Sequence, residues 1–145
     1  LMAWDVLGLG LPAAQQPFTH GVLEQTMAWP GVWLERARIA AEDQRLLHSP
    51  LGLAGHATCA TLVFAAGTPL SRHRREALLA SGRAVLEAQA GDLPCGITAP
   101  NAHMLVARAL SPTVEPVMAL WQAVWAVWRQ EAWGLAGTVP RIWKV

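Results

Sequence analysis

Charge is scarce in this chain of 145 residues: charged side chains make up 14% of it and hydrophobic ones 53%. Soluble domains carry about 25% charged and 45–50% apolar residues, so the chain has ample apolar surface to bury and global disorder is excluded. Neither sign prevails. Eleven Lys and Arg oppose ten Asp and Glu, a formal net charge of +1, which supplies no basic field for nucleic acid and no acidic surface for a cationic partner. Cysteine is limited to Cys59 and Cys95. Without a CxxC they form no zinc ribbon, thiol redox motif or disulfide framework. They read as small hydrophobes in a reduced, cytoplasmic setting. No long hydrophobic run is present either. A membrane-spanning helix takes about 20 consecutive apolar residues, whereas His48, Pro50 and His56 interrupt the uncharged stretch 46–71 and the run 117–128 is too short. The apolar opening, Leu1–Leu11, contains Asp5 and lacks a basic lead-in, unlike a secretion signal. Lacking a polar start, it reads as the continuation of a larger fold whose N-terminal part is missing.

Tyrosine is absent and phenylalanine occurs twice, yet there are eight tryptophans, a residue favoured in cores and interfaces alike. Leu1–Leu9 fits a short strand or a short buried helix, which periodicity cannot separate at that length. Leu23–Trp29 and Val32–Ile39 read as a hairpin turned at Pro30-Gly31. Alternation then puts Glu35 on one strand face with Trp33 and Ile39, and Arg36 and Arg38 on the other. Glu42–Leu47 suggests a helical turn and Ala57–Ala65 a buried strand. Leu78, Leu79, Gly82, Val85 and Leu86 recur at helical spacing behind a Ser71 cap. Gly96–Ala99 and His103–Ser111 form a second strand pair turned at Pro100-Asn101. In the last helix Thr113 is the expected cap, and Val117, Leu120, Trp121, Val124, Trp125 and Trp128 make an apolar stripe. The expected class is α+β: a mainly antiparallel sheet with two helices, about 71–90 and 113–132, in one unit spanning 1–145.

Catalytic motifs are missing. There is no GxSxG, HExxH, P-loop or GxGxxG, and the serines have no recognisable His and Asp partners, so the protein reads as a non-enzyme. The five histidines (His20, His48, His56, His73 and His103) show no metal-ligand spacing. Two carboxylates stand out. Asp5 lies between Trp4 and Val6, and Glu35 follows Trp33 and Leu34. A carboxylate buried among apolar groups needs a partner. That partner is a salt bridge, with Arg36 or Arg38 as candidates for Glu35, or a cation passing an oxygen-lined wall. The Trp stripe is either core or a face for a partner.

These segments carry a family resemblance. Residues 1–10, LMAWDVLGLG, are similar to the LLAWD…LGR segment of the urease accessory protein UreD family, called UreH in some bacteria. Phe18-Thr19-His20-Gly21 resembles its F-S/T-HG loop, Leu34-Glu35-Arg36 its LLVER strand, and Pro140-Arg141-Ile142-Trp143 its PRIW ending. Leu11 departs from the pattern, which usually has Arg there. The order holds along the chain, but the Gly-rich HPPGG region and first strands of the family are absent, so the resemblance is to the C-terminal half of a larger, β-rich protein. It implies a non-catalytic urease maturation factor that binds UreF, which recruits the GTPase UreG, and docks on apo-urease. It also implies that nickel passes transiently through a tunnel rather than residing as a cofactor. Asp5 and Glu35 match positions proposed to line that tunnel, with His20 as a further candidate. Trp121, Trp125, Trp128, Arg141 and Trp143 are the candidates for a partner interface. The competing reading is a stand-alone α+β interaction module that uses its Trp-rich helix.

Overall fold

The structure is a computed structural model and describes residues 1–140. The chain forms strands β1 (Met2–Gly8), β2 (Val22–Trp29) and β3 (Trp33–Ala40), a short helix α1 (Gln44–His48), strand β4 (Thr58–Ala65), helix α2 (Arg72–Gln89), strands β5 (Cys95–Asn101) and β6 (Met104–Ser111), and helix α3 (Val114–Trp133). The class is α+β, as expected. The strands divide between two antiparallel sheets, one in the order β1-β4-β6-β5 and one formed by the β2–β3 hairpin alone.

Alternation explains the larger sheet. Met2, Trp4 and Val6 of β1 pack on the core together with Ala60, Leu62 and Phe64 of β4 and Leu105, Ala107 and Ala109 of β6. Their period of two settles the opening segment as a strand. Helices α2 and α3 cover this face with Leu78, Leu86, Val117, Leu120, Trp121, Val124 and Trp128. Trp128 lies edge-on to Phe64 with ring centroids 6.0 Å apart, and its indole N–H donates to the Leu78 carbonyl at 2.8 Å. That bond satisfies the one polar group of a side chain that is completely buried. Gly82 lets α2 come this close: a Cβ there would stand 2.7 Å from Ile97 Cδ1 and 2.8 Å from the Trp128 indole nitrogen.

The caps hold in part. The Ser71 hydroxyl accepts from the Arg74 amide at 3.3 Å. Two of the three arginines at this positive helix end have partners: Arg72 bonds Glu76 at 2.7 Å, and Arg74 donates to the Ala132 carbonyl near the end of α3, where a cation is favoured. Thr113 stands at the start of α3 in extended conformation without capping an amide. Its hydroxyl bonds Glu115, whose carboxyl is held below the usual range by its own backbone amide and then by that hydroxyl. The second strand pair turns two residues later than expected. Strand β5 continues through a register shift to Asn101, and Ala102-His103 makes the turn. The Asn101 side-chain oxygen accepts from the His103 amide at 2.8 Å, a local bond that asparagine favours.

Candidate functional site

The other face of the four-stranded sheet is built differently. Asp5 pairs with Thr61, Thr61 with Arg108, and Arg108 with Gly96. Residues directly opposite across antiparallel strands share a face. One rung of the sheet is therefore polar and points away from the helices.

The hairpin lies over this rung. Its less exposed face carries Leu23, Gln25, Met27 and Trp29 on β2 and Trp33, Glu35, Ala37 and Ile39 on β3. At the turn, Pro30 and left-handed Gly31 (φ +72°) suit the two central positions, and the Val32 amide donates to the Trp29 carbonyl at 2.9 Å. Side chains bridge the two sheets. Gln25 donates its amide to the Asp5 carboxylate, and Arg108 donates its guanidinium to Glu35. Near the turn, Asn101 donates to the Val32 carbonyl at 3.2 Å, and Trp29 meets the His103 ring edge-on at 5.8 Å. Between the sheets lies a cleft of about 660 Å³ lined by Asp5, Gln25, Glu35, Cys59, Thr61 and Arg108, among others. Cys59 lies two residues before Thr61 on β4, on the same face. Burial pushes its thiol up from the ordinary value of 9.0, and the nearby Asp5 carboxylate adds to the shift.

The structure thus brings Asp5 and Glu35 to one seam, whose lining is otherwise largely apolar, with Leu7, Ile39, Leu46, Leu53 and Leu110 beside the polar groups. The ion-pair partner of Glu35 is Arg108, not Arg36 or Arg38. Those two lie on the opposite strand face, exposed, and Arg38 approaches Glu24 at 3.7 Å instead. Gln25, Thr61 and Arg108 were not singled out from sequence. Arg108 had a signal, as the one charge in the apolar strand β6, and so had Gln25, on the inward face between Leu23 and Met27. His20 does not join the seam. It is exposed in the loop before β2, its ring 3.1 Å from the Thr19 hydroxyl. Thr19 instead borders a separate depression of about 670 Å³ that His48 and His56 also line.

The tryptophan assignments divide. Trp121 and Trp128 are completely buried in the core. The expectation that they face a partner is corrected: Trp128 packs against Phe64 of β4 and the Leu78–Gly82 stretch of α2, and Trp121 lies in the same core cluster. Trp125 is half-buried, with the Arg129 guanidinium 5.0 Å from its ring centroid. Arg141 and Trp143 lie outside the described residues. Three of the four serines have local tasks: Ser71 caps α2, the Ser49 hydroxyl accepts from the Leu51 amide at 3.2 Å, and the Ser81 hydroxyl donates to the Leu78 carbonyl at 3.2 Å. Among the described residues no three His, Cys, Asp or Glu side chains gather as a metal cage, and no helix is long and apolar enough to cross a membrane. The seam instead offers separate carboxylates, each already hydrogen-bonded, whose oxygens suit hard and borderline cations.

Comparison with known proteins places the chain in a family. The family model described as UreD urease accessory protein matches residues 1–144. The chain belongs to the UreD family. It is 49% identical to the urease accessory protein UreD of Polaromonas sp. strain JS666 over 145 residues, covering 100% of this chain and 52% of that protein. It is 51% identical to UreD of Variovorax paradoxus over 143 residues, 99% of this chain and 52% of the relative. UreD of Albidiferax ferrireducens is 50% identical over the whole chain. The chain spans about half the length of these UreD relatives.

Proposed function

We propose that this chain is the C-terminal half of a UreD-type urease maturation factor and that the seam between its two sheets is a stretch of the route by which nickel reaches apo-urease. The observation that carries the reading is the convergence of Asp5 and Glu35, from different sheets, on one cleft. Carboxylates on an open cleft exchange a borderline cation readily, whereas a closed cage of thiolates or imidazoles would retain it. Nickel is thus cargo rather than a resident cofactor, and the protein acts as a scaffold and conduit rather than a catalyst. It works in the cytoplasm with UreF, UreG and apo-urease, the partners the family resemblance implies. Trp125, on the outer part of α3, is the remaining described candidate for a partner contact.

The test is activation of apo-urease by the natural full chain carrying Asp5→Ala and Glu35→Ala together. Activation is expected to fall while binding to the partners persists. Full activation by the double variant would remove both carboxylates from the route.

A further inference from the structure

We infer that Arg108 is the resident cation of the seam: its guanidinium occupies the Glu35 carboxylate, and a divalent metal gains that ligand only by displacing it. The inference rests on the seam being the metal route. Arg108 is the one charged residue of its strand, MLVARALS, and alternation turns it away from the core, toward the hairpin. Its partner comes from the other sheet. Arg36, next to Glu35 in sequence, faces away. The pair is also reversible by position. The Arg108 side chain is 51% exposed and Glu35 24%, so water can take over either charge, and such pairs are weak. A fully buried pair would be locked by the cost of leaving one charge alone.

The two carboxylates are held unequally. Asp5 receives a neutral amide from Gln25, whereas Glu35 receives a full positive charge. Asp5 is thus open to an arriving cation, while Glu35 is already neutralised. A monovalent ion gains too little to replace a guanidinium. A divalent ion gains more, because its attraction to a carboxylate is doubled. Arg108 in this role sets selectivity and keeps the seam closed to weaker ions. A merely structural Arg108, tying hairpin to sheet, has the opposite consequence: its removal would loosen the cleft and weaken any metal bound there.

The sign of one affinity change separates the two. The natural full chain is titrated with Mn²⁺, which favours carboxylate oxygen, and free ion is read by electron paramagnetic resonance. Arg108→Gln is expected to bind Mn²⁺ about fivefold tighter than the unaltered protein, the size of a half-exposed ion pair. Arg108→Lys, which keeps the charge but loses the planar fork, is expected to fall between them. Adding Glu35→Gln to Arg108→Gln should abolish the gain. Unchanged or weaker binding by folded Arg108→Gln, or a gain that survives Glu35→Gln, overturns the inference. If Arg108→Gln does not fold, Arg108→Lys decides alone: tighter binding supports the inference and equal or weaker binding overturns it. Urease activation by the Asp5 and Glu35 variants reports on the route separately. Full activation there with tighter Mn²⁺ binding here would sink the route and leave the resident-cation pairing.

Discussion

The two faces of the four-stranded sheet come from the same strands and do opposite things. Toward the helices, β4 and β6 present Leu62, Phe64, Leu105 and Ala107, closed over by Trp121 and Trp128. Toward the hairpin, the same strands present Thr61 and Arg108, joined by Asp5 from β1, and meet Gln25 and Glu35 across an open cleft. One face is held by dry packing and the other by a few side-chain bridges. Side chains one residue apart along a strand therefore have different surroundings, and substitutions on the two faces should fail in different ways.

The largest effect belongs to the packed face. Trp128→Ala removes a fully buried side chain together with its bond to the Leu78 carbonyl, and should cost about 3–5 kcal/mol in denaturant unfolding. A loss below about 1 kcal/mol would mean that this face is not the main store of stability. Gly82→Ala should follow at about 1–3 kcal/mol, since the added methyl collides with Ile97 and the Trp128 ring. On the seam, Asp5→Asn and Glu35→Gln keep shape and remove charge. Each should shift stability by no more than about 1 kcal/mol and yet lower urease activation, so a large loss of stability from either would erase the contrast between the faces. The smallest effect concerns Cys59. Because burial and then Asp5 raise its thiol, the folded protein favours the protonated form. The stability this adds is complete below the unfolded thiol's value and fades as pH rises through the folded one. Alkylation of Cys59 at pH 8 should therefore be slower than that of a free cysteine, and Asp5→Asn should speed it by up to about threefold. No acceleration would mean that Asp5 and Cys59 do not share the cleft electrically.

The packed face was legible in the sequence because helical and strand periodicity report burial directly. Leu78, Gly82, Val85 and Leu86 on α2, and Val117, Leu120 and Val124 on α3, fell where spacing placed them. The seam was half legible. Asp5 and Glu35 stood out as carboxylates among large apolar residues, and alternation put Glu35 on the inward face of the hairpin. What local pattern could not supply was the pairing of distant strands. Arg108 on β6 reaches Glu35 on β3 across the gap between the two sheets, a relation between residues 73 positions apart. Arg36 and Arg38, the candidates nearest in sequence, lie on the opposite face of the strand in the structure. The same limit applied to α3, where a tryptophan stripe looks alike whether it faces a sheet or a partner. The later turn of β5 followed from Asn101, whose side chain bonds the backbone two residues on.

The most direct test of the seam as a route is a reversible plug. In a Cys95→Ser background, Cys59 is converted to a mixed disulfide with a bulky thiol reagent, and the protein is assayed for urease activation and partner binding before and after reduction. Blocked activation with partner binding retained, and recovery once the plug is removed, is the result expected of a metal route between the two sheets. Unchanged activation with Cys59 fully modified would show that the metal does not pass there.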